Sequence, residues 1–272
     1  ARRAASAGGA AKPAGRCALG EGGGDRASAI GIMAAGVAPL RVRDWSALRA
    51  DLRGGRGLAL LLLLLPAVLA APFVLFQKKL LPPYLACPVG RAYFWPTMPL
   101  TLVKRWMSGK GLWCEVDKTV LLGVAPLAVL GFPAELRALG VRGVVNLQDE
   151  YAGPQAEYER LQMEQLRLPT IDHTEPRLED LQAACEFIEA HRLRGQRVYV
   201  HCKAGHGRGA AAALAWMAYS RRLSSEEDLR QLNEELLTKR KVRRTLYSQP
   251  CIRAFAAWVR EGAGRPPGAS LA

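Results

Sequence analysis

Val198-Tyr199-Val200-His201-Cys202-Lys203-Ala204-Gly205-His206-Gly207-Arg208 runs from a β-branched strand pattern into a glycine-punctuated turn, and Gly209 to Tyr219 follows as a run of small residues with helical character. A tight loop at a helix N-terminus points backbone N–H groups at one spot, where they bind phosphate oxygens. Arg208 would close that ring as a planar two-pronged donor. Cys202, six positions earlier, would sit at its base and attack phosphorus. The same cradle favours a thiolate. Gly205 and Gly207 are read as permitting the backbone angles and close approach of such a loop. His201 is read as a loop-ordering hydrogen bonder, because a preformed thiolate needs no base. A lone cysteine is more often an inert core residue. The full pattern of strand, cysteine, two spaced glycines, arginine and helix argues against that here.

Upstream the pattern alternates. Val120–Leu122 reads as a short strand, Ala134–Leu139 as a short helix and Val141–Leu147 as a buried strand. Gln155–Gln165 reads as a polar helix, Gln165–Leu168 as a strand, and Leu178–His191 as an amphipathic helix. Ser224-Ser225-Glu226-Glu227 resembles a capping box before a helix over Asp228–Leu237, and Ser248 is the expected cap of a final helix reaching Val259. This alternation predicts an α/β fold, a sheet between helices with its ligand loop at a strand's carboxyl end.

Expelling an alkoxide requires a proton from a separate carboxylic acid. Asp172, thirty residues before Cys202, is the candidate; capping of the next helix is the alternative role, and Asp180 is held in reserve. His173 is read as a pocket-rim residue. The acidic row Gln148-Asp149-Glu150-Tyr151 is read as structural or substrate-positioning, since acids repel phosphate.

Four stretches, Leu121–Gly123, Leu139–Leu147, Leu168–Asp172 and His201–Arg208, make residues 113–262 resemble the cysteine-dependent dual-specificity and tyrosine phosphatases. Within that superfamily the chain is similar to the mitochondrial tyrosine-phosphatase-like group that acts on phosphatidylglycerophosphate. The resemblance implies a dual-specificity-phosphatase-like central sheet flanked by helices, with no metal and no cofactor. It implies Cys202, Arg208 and Asp172 as catalytic residues, with Lys203, Ala204, Gly205, His206, Gly207 and Gly209 around the phosphate. The implied reaction gives phosphatidylglycerol through a phosphocysteine. Two alternatives stay open: a dual-specificity protein phosphatase, and a catalytically impaired phosphate- or phospholipid-binding module. The last is motivated by Gly209, which stands where the family usually carries a Ser or Thr whose hydroxyl eases departure of the cysteine. Lys203 and His206 suit a headgroup with extra negative charge, unless Lys203 points into solvent. The run Lys239-Arg240-Lys241-Val242-Arg243-Arg244 is read either as a lipid-docking patch or as a solvated helix end.

The chain carries a formal net charge of +14. Residues 1–112 hold 16 Lys and Arg against 4 Asp and Glu; the remaining residues hold 22 against 20. Basicity therefore belongs to the leader. That speaks against nucleic acid as a partner and for an anionic membrane. Residues 1–57 resemble a transit segment or a low-complexity disordered tail, and Met33 offers a second possible start. Residues 58–79, uncharged from Leu58 to Gln77, are long enough for a transmembrane helix; a signal-type hydrophobic region and an interfacial helix are the alternatives. Residues 80–112, rich in Pro and aromatics, read as a linker, either collaring a membrane interface or packing on the catalytic domain. Residues 263–272 read as a disordered tail. The expected place of work is a mitochondrial membrane, or a chloroplast or other organellar one. None of the six cysteines makes a Cys-x-x-Cys motif, so a zinc site is not expected, and a nucleophilic cysteine implies a reducing compartment.

Overall fold

The computed structural model describes residues 67–109 and 111–262. The expected leader (1–57), most of the apolar stretch before residue 67 and the tail (263–272) lie outside the described residues. Residues 68–77 are helical. Among the described residues no helix is long and apolar enough to cross a membrane.

A mixed five-stranded sheet organises the rest, in the order β1-β2-β5-β3-β4. The strands are β1 (Trp113–Glu115), β2 (Val120–Gly123), β3 (Val141–Asn146), β4 (Glu164–Arg167) and β5 (Arg197–His201). β1 runs antiparallel to β2, and the other pairings are parallel. The period-two alternation divides the sheet's side chains between two cores. Val120, Leu122, Val145, Val198 and Val200 face one; Leu121, Val144 and Tyr199 face the other.

The first core is covered by α4 (Leu178–Leu193), α5 (Arg208–Ser220), α6 (Glu226–Lys239) and α7 (Pro250–Arg260). α5 is alanine-rich and buried along almost its whole length. Alanine favours helix and lets it approach the sheet closely. α6 is capped by Ser225, whose hydroxyl accepts from the Asp228 amide while Asp228 answers the Ser225 amide. The capping box thus closes on Asp228 rather than Glu227. α7 starts at Pro250 after Gln249, so Ser248 is not its cap. α3 (Gln155–Arg160) is shorter than expected, because Met163 turns back to bond the Tyr158 carbonyl and lead into β4.

The second core is covered by α2 (Phe132–Ala138), α3 and α1 (Pro83–Met107). α1 corrects the reading of 80–112 as a linker. It is a 25-residue helix with Pro88, Pro96 and Pro99 inside it. Each proline removes a ladder hydrogen bond. Tertiary burial outweighs that loss: Phe94 and Met98 are almost fully buried against the sheet, and Phe94 stacks on Tyr151. α1 ends beside the phosphate loop, where the buried Arg105 donates to the Lys241 carbonyl at 3.0 Å.

Candidate active site

β5 is the central strand, and Cys202 is the first residue beyond it. The loop from Cys202 to Gly207 delivers the chain to α5, which begins at Arg208. Four successive loop carbonyls are tied from outside. Lys203 O accepts from the Ala125 amide, Ala204 O and Gly205 O accept from the Arg240 guanidinium, and His206 O accepts from the Arg243 amide. In a planar trans peptide the N–H points opposite to the C=O. The amides of Ala204, Gly205, His206 and Gly207 are therefore turned to the other side of the loop. Gly205 has a φ of 61°, and a Cβ there would stand 2.5 Å from the Gly123 carbonyl oxygen. Only glycine fits. At Gly207 a Cβ would meet nothing within 4 Å, so close approach does not require that glycine.

Arg240 went unrecognised in the basic run. It is fully buried and also donates to the Leu112 carbonyl at 3.0 Å. The run is therefore neither a uniform lipid-docking patch nor a solvated helix end. Sequence displays the charge but not the carbonyls that surround it.

Arg208 is buried and bound on several sides. It makes a two-pronged pair with Glu150 at 2.6 and 2.8 Å, and donates to the Thr170 carbonyl at 2.7 Å and to Asp172 at 2.9 Å. Burial opposes its charge, but Asp172 and Glu150 more than offset this and raise its pKa. Glu150 is the second residue that sequence reasoning underused. Its acid repels phosphate but fixes the arginine that attracts it. Removing one partner of a buried ion pair costs about 3–5 kcal/mol.

Asp172 is placed beside Arg208 and is not a helix cap, since α4 is capped by Arg177. Burial alone would push its carboxyl up. Arg208, His173 and Lys203 outweigh that and hold it below the usual carboxylate range. Asp180, the reserve candidate, is committed to Arg177, whose guanidinium donates to its carboxylate at 2.9 and 2.8 Å. His173 lines the same cavity and packs edge-on against Phe76.

His201 is fully buried, and its Nδ1 lies 3.2 Å from the Gln148 amide oxygen. Burial pushes its pKa down to about 3, so the ring is neutral at ordinary pH. Lys203 does not point into solvent. Its ammonium meets the Thr97 hydroxyl and lies 5.6 Å from the Phe94 ring centre, both on α1. His206 Nδ1 lies 3.1 Å from the Lys241 carbonyl oxygen, and burial lowers its pKa. Gly209 is inside α5, and its φ is not positive. A Cβ there would stand 3.1 Å from the Cys202 nitrogen and 3.1 Å from the His201 carbonyl carbon.

A cavity of about 370 Å³ gathers these groups. Cys202, the loop residues Lys203 to Arg208 except Gly205, Asp172 and His173 line it. So do Phe73, Thr97, Leu100 and Lys104 from the N-terminal helical segments. Among the described residues no three His, Cys, Asp or Glu side chains cluster as a metal-binding group.

Residues 120–249 match the catalytic domain of the dual specificity phosphatases. The chain belongs to the dual specificity phosphatase family and is a phosphoric monoester hydrolase. It is similar to the human (Homo sapiens) phosphatidylglycerophosphatase and protein-tyrosine phosphatase 1, with 36% identity over 153 residues, covering 53% of this chain and 76% of that protein. It is also similar to the Arabidopsis thaliana phosphatidylglycerophosphate phosphatase PTPMT2, with 36% identity over 132 residues, 47% of this chain and 57% of that one. A crystal structure of PTPMT1 in complex with PI(5)P superposes with a TM-score of 0.48 at 29% identity, over 56% of this chain and 99% of that chain.

Proposed function

We propose that this phosphatase converts phosphatidylglycerophosphate to phosphatidylglycerol, with Cys202 as nucleophile, Arg208 as phosphate ligand and Asp172 as proton carrier. The observation that carries the lipid reading is the wall that α1 and residues 68–77 add to the catalytic cavity. Twelve of the sixteen large hydrophobics exposed among the described residues fall between Val68 and Met107. No acid occurs from Leu52 to Cys114. An apolar, acid-free surface beside a phosphate loop suits an anionic lipid far better than a phosphopeptide. The names of the relatives support the same substrate. The acid-poor leader and the insolubility of the substrate support an organellar membrane, the mitochondrial one first, as the place of work.

The chemistry follows from the contacts. Asp172 occupies an Arg208 N–H group, so an entering phosphate monoester displaces the carboxylate from the guanidinium. A monoester that enters as the monoanion passes its proton to the displaced carboxylate, whose proton affinity the phosphate's negative charge has raised. Cys202 attacks phosphorus, the bond to the glycerol oxygen breaks, and Asp172 protonates the departing alkoxide. The Asp172 carboxylate next takes a proton from water as that water attacks the phosphocysteine. Inorganic phosphate leaves and the thiolate is restored.

Phosphate release from phosphatidylglycerophosphate in mixed micelles, measured beside phosphotyrosyl and phosphoseryl peptides, tests the assignment. The lipid should be preferred by at least about 100-fold in kcat/KM. Equal or better turnover of the peptides would move the enzyme to the protein phosphatases.

Gly209 sets the second step apart. With no hydroxyl beside the sulfur, collapse of the phosphocysteine should be slow, and rapid mixing should show a burst near one product per site. Gly209→Ser and Gly209→Ala share the tight contact with the loop backbone, which should cost each about 1–3 kcal/mol of stability. Only serine supplies the hydroxyl. Its steady rate should exceed that of the alanine variant, and its burst should be smaller than in wild type. Equal rates in the two variants would show that another group already assists the sulfur.

A further inference from the structure

We infer that Lys104 of α1 and Arg243 of the connection between α6 and α7 form a second anion subsite in the catalytic cavity, one that holds the phosphodiester of a substrate whose phosphomonoester lies at Cys202 and Arg208. The inference rests on the lipid assignment above and names the feature of the lipid headgroup that would be recognised.

Lys104 and Arg243 line the same cavity as Cys202 and Arg208. The other cations there are already engaged. Arg208 is bound by Glu150 and Asp172, and the Lys203 ammonium sits on Thr97 and over Phe94. His206 is bonded to the Lys241 carbonyl, and burial disfavours its charged form. Lys104 is exposed and Arg243 half-buried. The one carboxylate lining the cavity, Asp172, belongs to Arg208. Two cations thus face a cavity whose own negative charge is already matched.

Their backbones are fixed, not incidental. The Arg243 amide donates to the His206 carbonyl of the phosphate loop at 3.1 Å. The His206 ring returns to the Lys241 carbonyl at 3.1 Å, and Arg105, next to Lys104, donates to that carbonyl at 3.0 Å. Three short links therefore tie α1, the 241–243 segment and the phosphate loop into one frame. Lys104 and Arg243 belong to two parts of it, and both line the cavity. A guanidinium fork matches two non-bridging phosphate oxygens, and an ammonium adds a point charge. α1 lies outside the family-matched residues 120–249, so half of the subsite lies outside that stretch.

The test uses the full chain and two soluble substrates with the same kind of leaving alcohol. One is the deacylated headgroup, a glycerol phosphodiester carrying a terminal phosphomonoester. The other is glycerol phosphate, which lacks the diester. Wild type should favour the headgroup in kcat/KM, and rising salt should erode that preference. Lys104→Gln with Arg243→Gln should lower the ratio of the two kcat/KM values by about tenfold or more, through KM for the headgroup. Lys104→Arg should retain most of it. A ratio that survives the double substitution overturns the subsite while leaving the lipid assignment standing. A wild type that turns over glycerol phosphate and phosphopeptides, yet neither the headgroup nor the lipid, overturns the lipid assignment and the subsite with it. A double variant equally impaired on both substrates also overturns the subsite, since the loss would then lie in the phosphate loop.

Discussion

Cys202→Ser is expected to lower turnover by about 10⁴-fold or more while leaving phosphate binding within a few-fold of wild type. The serine hydroxyl keeps the shape of the thiol but is a far weaker nucleophile, and the neutral imidazole of His201 is bonded to Gln148 rather than placed as a base for it. Binding should persist because it comes from elsewhere. Arg208 and the amides of Ala204 to Gly207 are held by partners that the substitution does not touch. Calorimetric titration with phosphate or tungstate, beside turnover of the lipid, reads both quantities. Activity within about tenfold of wild type would reject a thiolate mechanism. Loss of binding together with activity would mean that the loop had collapsed.

The second large effect belongs to Asp172. Asp172→Asn should slow hydrolysis of alkyl phosphates by about 10²–10⁴. Esters with acidic phenol leaving groups should suffer much less, since a phenoxide leaves without a proton. Asparagine can still accept from Arg208, and Glu150 still holds the guanidinium, so phosphate binding should change little. The sign of the pH dependence follows from the free enzyme. Its Asp172 carboxyl is held low and is ionised at neutral pH. The proton needed by the alkoxide must therefore arrive with the substrate, whose second ionisation lies near pH 6. Wild-type kcat/KM on alkyl phosphates should fall about tenfold per pH unit above roughly pH 6. An equal loss on both ester types in the Asn variant would move the proton transfer to another residue.

The strand-loop-helix unit around Cys202 was legible because its local rules agree: β-branched strand, glycine where φ is positive, alanine-rich helix. Asp172 lines the cavity beside Arg208, where chemical need and spacing had placed an acid. What escaped reading were residues whose meaning lies in a distant partner. Glu150 looked hostile to phosphate because its acid was visible and Arg208, 58 positions on, was not seen to face it. The prolines of α1 argued for an irregular linker, and local propensity did oppose the helix. Burial of Phe94 and Met98 overrode it. Lys203 lines the cavity as its place in the loop suggested, but the aromatic and hydroxyl that receive it sit on α1, outside the stretch that carried the resemblance.

Arg240 bears on how inherited variants of this chain should be sorted. It stands 38 positions after the cysteine, in a stretch that looks like ordinary surface charge. Yet its guanidinium turns two loop carbonyls outward, and in doing so turns the amides of Gly205 and His206 toward the other side. An allele that replaces it with a neutral residue would leave every catalytic side chain in place and still behave as a lesion of the catalytic loop. Lysine would be scarcely milder, because one ammonium cannot reach carbonyls on both the loop and the approach to β1.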